Sequence, residues 1–249
     1  MTFCLGIKVD SGLVGIADTL VTAGSECTKA AKLFTYQNER QCLFIMTSGL
    51  RSVRDKALTY FEEVLDENGA SFDRVFKALN AFAAQVRRVA EEDKAALADG
   101  GLDFNMHALV GGQFDRDREH KLYMLYPQAN WVEVGQGTPS QIIGASGYGK
   151  PVLDRTLQSS DPMSYALKVG CLAFDSTRIS ASDVDFPIDV ILYERDTFEL
   201  VSQRYEKQDL AEISNWWQDR LRQSVNELRS DWAEPLLSRL RSSDRATGR

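Results

Sequence analysis

A chain of 249 residues that is 43% hydrophobic and 26% charged has ordinary globular usage, which excludes collagen-like, coiled-coil and wholly disordered chains. Its 29 basic and 36 acidic side chains leave a formal net charge of −7, a poor balance for non-specific binding to nucleic acid or anionic membrane. No apolar run reaches the ~18–20 residues of a bilayer span and the N-terminus shows no export signal, so a cytoplasmic protein with no nucleic-acid and no membrane partner is expected.

Phe3, Leu5, Ile7 and Val9 alternate with Thr2, Cys4, Gly6 and Lys8, predicting a half-buried strand. Asp10-Ser11-Gly12 is a turn, and Leu13 to Ala17 returns as a second strand. Strand-like runs follow at Lys32 to Tyr36 and Cys42 to Met46. The period then changes: Val53, Ala57, Leu58, Phe61, Val64 and Leu65 have helical spacing, stopped by Asn68-Gly69. A second helix, with Ser71 as its expected cap, carries Val75 to Val89 and ends before Gly100-Gly101. Strands resume at Met106 to Val110, Lys121 to Tyr126 and Trp131 to Val134. Asp161-Pro162 reads as an N-cap and N1 pair opening a helix toward Phe174. Ile188 to Tyr193 and Phe198 to Gln203 form a hairpin, and a last helix carries Leu210, Ile213, Trp217, Leu221, Leu228 and Trp232. Short turns between strands and helices in pairs predict an α+β domain of antiparallel sheets. It is followed by a C-terminal helical extension and a tail, Ser242 to Arg249, with little to bury.

Cys4, Cys27, Cys42 and Cys171 form no C-x-x-C pair, and His107 and His120 are the two histidines. No metal-ligand spacing results. His107 reads as a packed strand residue and His120 as a turn residue. A hydrolase built from this chain therefore takes its base from something other than histidine.

Two segments could carry chemistry. Removal of Met1 would leave Thr2 with a free α-amine, whose unperturbed pKa of ~7.7–8 suits a base near neutral pH. Nucleophile and base would then share one residue. The other reading of Thr2 is the plain second residue of an edge strand. Gly144 to Lys150 matches the phosphate-cradling G-x-x-x-x-G-K loop, but Pro151 stands where a Mg²⁺-binding hydroxyl belongs. Nucleotide hydrolysis there is the alternative, predicting Mg-dependent binding lost in Lys150→Ala.

Thr2, Gly-Leu-Val-Gly-Ile-Ala-Asp18, Lys32 in Ala-Lys-Leu-Phe, Ser-Gly49, Gly-Ala-Ser146-Gly-Tyr-Gly and Ala-Phe-Asp175 occur in order across roughly residues 2–205. In this the chain resembles the proteasome β-subunit family of N-terminal nucleophile hydrolases, most of all the bacterial ancestral-β-subunit group, Anbu. The resemblance implies a four-layer α/β/β/α sandwich over residues 1–207, with 208–249 as helix and flexible tail. It implies Thr2 as nucleophile, Lys32 beside its hydroxyl, Asp18 orienting the lysine and Gly49 offering an N–H to the oxyanion. Ser146 and Asp175 would hydrogen-bond around the amino terminus. The family's second serine, three residues beyond the aspartate, is Arg178 here, with Ser176, Thr177 and Ser180 as nearby hydroxyls. The implied substrate is a peptide or related amide, with no metal or organic cofactor, and the implied partner is a second copy, in a ring or an open helical stack. A catalytically weak scaffold subunit of the same fold is the other functional class; Thr2→Ala separates the two.

Overall fold

Both faces of the first strand, β1 (Phe3–Val9), are buried. Phe3, Leu5, Ile7 and Val9 pack among helix residues, whereas Cys4 lies in a second apolar layer. The half-buried strand expected from alternation is thereby corrected. Its second face carries Cys4 and Gly6, small enough to lie against another sheet, and only Lys8 is charged, reaching Glu119 at 3.0 Å.

The computed structural model describes residues 2–23, 26–135 and 137–239; it divides into two units, Met1–Leu210 and Ala211–Arg249. In the first unit β1 is followed by β2 (Gly12–Asp18), β3 (Leu20–Ala23), β4 (Glu26–Lys29), β5 (Leu33–Asn38) and β6 (Gln41–Gly49). Helices α1 (Arg51–Asn68) and α2 (Val75–Asp99) come next. Strands β7 (Met106–Phe114), β8 (Lys121–Leu125), β9 (Trp131–Glu133) and β10 (Ser140–Gly144) precede α3 (Lys150–Thr156) and α4 (Met163–Ser180). The hairpin β11 (Ile188–Glu194) and β12 (Leu200–Tyr205) closes the unit.

One antiparallel sheet has the order β10-β1-β2-β11-β12 and the other β5-β6-β7-β8-β9, with β3-β4 a separate hairpin. Three apolar layers hold them. Leu43, Ile45, Val110 and Tyr123 of the second sheet pack against Phe61, Leu79, Phe82 and Val86 of α1 and α2. Phe3, Leu5, Val14 and Val190 of the first sheet pack against Leu153, Ala166 and Phe174 of α3 and α4. Between the sheets lie Cys4, Phe44, Met46, Leu109 and Ile191. This is the α/β/β/α sandwich, an α+β fold with one sheet face in each outer layer and both sheets meeting in the middle one.

Local details depart from expectation where a distant group substitutes for a near one. Ser71 does not cap α2; its Oγ donates to the Asn68 carbonyl. The N-cap is Arg74, and Asp117 in the β7–β8 connection accepts the N–H groups of Val75 at 2.9 Å and Phe114 at 3.0 Å. Pro162, rather than Asp161, is the N-cap of α4, and that helix runs past Phe174 to Ser180. His120 lies in the connection leading into β8 and is buried, with Nε2 donating to the Val9 carbonyl at 2.8 Å. Cys27's side chain and the tail 242–249 lie outside the described residues. No helix among the described residues is long and apolar enough to cross a membrane. In the second unit α5 (Ala211–Glu227) buries none of its residues, and Trp216 and Trp217 stack with ring centroids 6.5 Å apart.

Candidate active site

Strand register brings four of the six expected site residues together. Thr2 precedes β1, and its carbonyl accepts the Ala145 N–H at 2.7 Å, tying it to the end of β10. There Gly144 has φ +89, and a Cβ at that position would stand 1.9 Å from the Thr2 carbonyl oxygen. Only glycine fits both the left-handed backbone and that approach. Asp18 ends β2 and is fully buried; its Oδ1 accepts the Phe3 N–H at 2.8 Å. Lys32 precedes β5 and is 4% exposed. Its Nζ donates to Asp18 Oδ1 at 2.7 Å and to the Leu20 carbonyl at 2.6 Å. Gly49 ends β6 at φ +125, where a Cβ would meet the Asn105 carbonyl oxygen at 2.1 Å.

Thr2, Lys32 and Gly49 line one cavity of about 420 Å³. Burying an ammonium and a carboxylate costs several kcal/mol per ion, which their attraction offsets only in good geometry. Burial pushes the Asp18 carboxyl above the usual carboxylate range, while the Lys32 ammonium and the Phe3 N–H oppose that shift. A buried pair opening onto a cavity is the arrangement that functional sites use.

Ser146 and Asp175 do not line this cavity. They stand where the β10–α3 loop and α4 pack on the helix side of β1, with the Phe3 and Phe174 rings edge to face at 5.7 Å. Ser146 is exposed and its carbonyl accepts the Lys150 N–H. Asp175 is buried and takes two bonds on Oδ1, from Arg178 Nε at 3.0 Å and Nη2 at 2.8 Å. The Arg178 guanidinium also lies 5.5 Å from the Phe186 ring centroid. Ser176 and Thr177 donate their hydroxyls to the Leu172 and Ala173 carbonyls of α4, and Ser180 is exposed at the helix end. Met1 lies outside the described residues.

The rest of the cavity wall was not anticipated. Thr47 and Ser48 of β6, Arg51 and Arg54 of α1, Asn105 and His107 line it. His107 is the strand residue expected, half-buried in β7 with its ring packed on Tyr126, and it also forms part of the cavity wall. Burial holds its pKa below the usual histidine value. The phosphate-loop lookalike has no phosphate-loop setting: β10 is an antiparallel edge strand, and Lys150 pairs with Asp154 at 2.8 Å.

No protein-family profile and no curated protein sequence matches the chain. Solved structures do. It is similar to the helical assembly of the Anbu complex from Pseudomonas aeruginosa, with a TM-score of 0.86 and 30% identity over 92% of this chain and 97% of that one. Anbu (ancestral beta-subunit) from Yersinia bercovieri superposes with a TM-score of 0.85 at 25% identity, over 91% and 97% of the two chains. The Anbu (Gly-1) mutant from Hyphomicrobium sp. strain MC1 does so at 0.84 and 29% identity, over 92% and 98%.

Proposed function

Because the chain belongs to the Anbu family of ancestral, proteasome-like β-subunits, we propose that it is a threonine-type N-terminal nucleophile hydrolase of peptide or related amide bonds. The observation that carries this reading is the Lys32 ammonium, 4% exposed and held by Asp18, lining the same cavity as Thr2.

Once Met1 is removed, the Thr2 α-amine takes the proton of its own hydroxyl. The Thr2 oxygen adds to the substrate carbonyl carbon, and the Gly49 N–H receives the oxyanion, an interaction often worth ~3 kcal/mol. As the tetrahedral adduct collapses, the C–N bond breaks and the amine's proton passes to the leaving nitrogen. Water then gives a proton to the same amine as it adds to the Thr2 ester. Cleavage of the ester C–O bond returns that proton to the Thr2 oxygen. Lys32 supplies fixed positive charge beside the nucleophile, Asp18 holds Lys32, and Ser146 and Asp175 set the protonation of the amine from the helix side. The reaction needs no metal or organic cofactor. Residues 1–207 form the catalytic domain and 208–249 the extension in this reading, with the protein cytoplasmic.

Intact mass and turnover of a peptide library test it together. Expected is a mass lacking Met1 and turnover that Thr2→Ala abolishes with particle size unchanged. Turnover retained by Thr2→Ala, or by protein still carrying Met1, overturns it. The Pseudomonas relative is described as a helical assembly, and self-assembly, in a ring or an open helical stack, is proposed for this chain as well. The exposed Trp216, Leu221 and Val225 of α5 are apolar area of the kind that interfaces cover. Truncation after Gln208 should change particle size in light scattering; an unchanged size removes the extension from the interface.

A further inference from the structure

The cavity beside Thr2 has no carboxylate among the described residues that line it, but has Arg51 and Arg54. Both arginines lie in the first turn of α1, whose N-cap Leu50 makes no side-chain capping bond and whose first turn has no acidic residue. A helix N-terminus carries partial positive charge, so two guanidiniums there are opposed by the dipole where an acid would be favoured. The pair shares a single carboxylate: Asp55 accepts Arg51 Nε at 3.1 Å and Arg54 Nη2 at 2.6 Å. Arg54 is held in place, 12% exposed and donating to the Ala31 carbonyl at 3.1 Å. One carboxylate for two guanidiniums leaves positive charge in surplus at the cavity wall.

A third cationic side chain, Lys32, lines the same cavity. Thr47 lines it too, 3% exposed, with its Oγ1 enclosed by protein. His107, whose pKa burial lowers, lines the same wall.

We propose that this cavity selects an acidic side chain, glutamate or aspartate, on the acyl side of the bond to be cut. The proposal rests on Thr2 being the nucleophile, which makes the cavity the place for the side chain next to the attacked carbonyl. A carboxylate there accepts from the guanidiniums in charge-assisted bonds, which are about twice as strong as neutral ones. An apolar side chain leaves the surplus positive charge uncompensated, and a lysine is repelled.

The test pairs turnover with binding. Acetyl-tetrapeptide aminomethylcoumarins differing only in the residue before the reporter, Glu, Gln, Leu or Lys, are given to the wild-type protein. The same peptides as C-terminal amides are titrated calorimetrically into Thr2→Ala. Glu is expected to lead Gln and Leu by about tenfold in kcat/KM and in affinity, with Lys last, and the lead should shrink in high salt. Arg51 is 55% exposed, so Arg51→Glu should fold normally and shift the preference from Glu toward Lys. Turnover without a Glu advantage overturns the selection and leaves the nucleophile standing. A Glu advantage in binding with no turnover by the wild-type protein keeps the cavity as a carboxylate site, and overturns both the nucleophile and the assignment to the acyl side of a cut bond. No binding and no turnover with any peptide overturns both.

Discussion

The two flanks of Thr2 are built differently. On one, Asp18, Lys32 and Gly49 sit at strand ends, buried or locked by backbone that only glycine can adopt, and they share a cavity with Thr2 or pair with a residue that does. On the other, Ser146 is an exposed loop residue, and Asp175 is bound on one oxygen by Arg178, which stands where the family resemblance puts a serine. Strand register tolerates little local change, because a one-residue slip exchanges the two faces. A loop and a helix face can exchange a hydroxyl for a guanidinium while the fold persists. The strand side is therefore the constrained half of the proposed site, and the helix side is the half in which this chain departs from the family pattern.

Lys32→Met should break that contrast most severely. It removes the fixed cation and leaves Asp18 buried without its partner, so turnover is expected to fall roughly 10³-fold and stability by about 3–5 kcal/mol. Denaturant unfolding should show much of the stability return in Lys32→Met with Asp18→Asn, since no uncompensated carboxylate remains; turnover should not return. Equal stability in the single and double variants would mean that the pair is not held as an ion pair. Next in size is Gly144→Ala. Its Cβ would occupy the Thr2 carbonyl position at a positive φ, displacing the nucleophile; a shift of ~1 Å can cost ~10² in rate. Activity near wild type would show that the Thr2–Gly144 approach does not position the hydroxyl.

The constrained half was also the more legible one. Asp18, Lys32 and Gly49 are legible through the family resemblance, whose motifs follow Thr2 in order; the apolar period marks only the strands they border. The cavity walls could not. Ser48 pairs with His107 and Gly49 with Met106 only through β6–β7 register, across the two intervening helices. Nothing local in the sequence announces that pairing. The same holds for the α2 cap, supplied by Asp117 from 42 residues away. In β3 and β10 the apolar residues are adjacent, Leu20-Val21 and Ile142-Ile143, and β4 has one apolar residue, Cys27, so no period of two stands out. Alternation in β1 suggests one exposed face because small residues such as Cys4 and Gly6 do not reveal that a second sheet covers them.

Arg178→Ser sharpens the comparison on the departing flank. The substitution removes two charge-assisted bonds to Asp175, each of a kind worth about 1.5–3 kcal/mol, so a moderate loss of stability is expected. In the proposed reading, where Asp175 helps set the protonation of the amine, it also removes a cation bound to Asp175. A nearby cation disfavours a protonated amine, so the acid limb of the kcat/KM profile should move to higher pH by less than about one unit. Turnover at pH 8 should change by no more than a few-fold. An unmoved limb would assign Arg178 a purely structural role.

The smallest effect separates pH-dependent stability from pH-dependent chemistry, and it lies at the opposite end of β1 from Thr2. His120 is buried with Nε2 on the Val9 carbonyl, and Nδ1 has no partner among the described residues. Burial pushes its pKa below the usual value, and Lys8 and Arg195 add to that, while the Val9 bond and Glu119 oppose it. The sign follows from linkage: between the ordinary value of ~6.5 and the lower folded value, the unfolded chain binds a proton that the folded chain refuses. Stability is full above pH ~6.5 and declines as pH falls below it, by at most about 1.4 kcal/mol per pH unit for one group. His107, its pKa likewise lowered by burial, contributes a slope of the same sign. His120→Gln keeps an N–H for Val9 and removes one titration, so urea unfolding between pH 6.5 and 5 should show a shallower slope while the acid limb of turnover stays in place. A slope unchanged by that substitution would transfer the whole acid sensitivity to other groups, His107 at the cavity wall first among them.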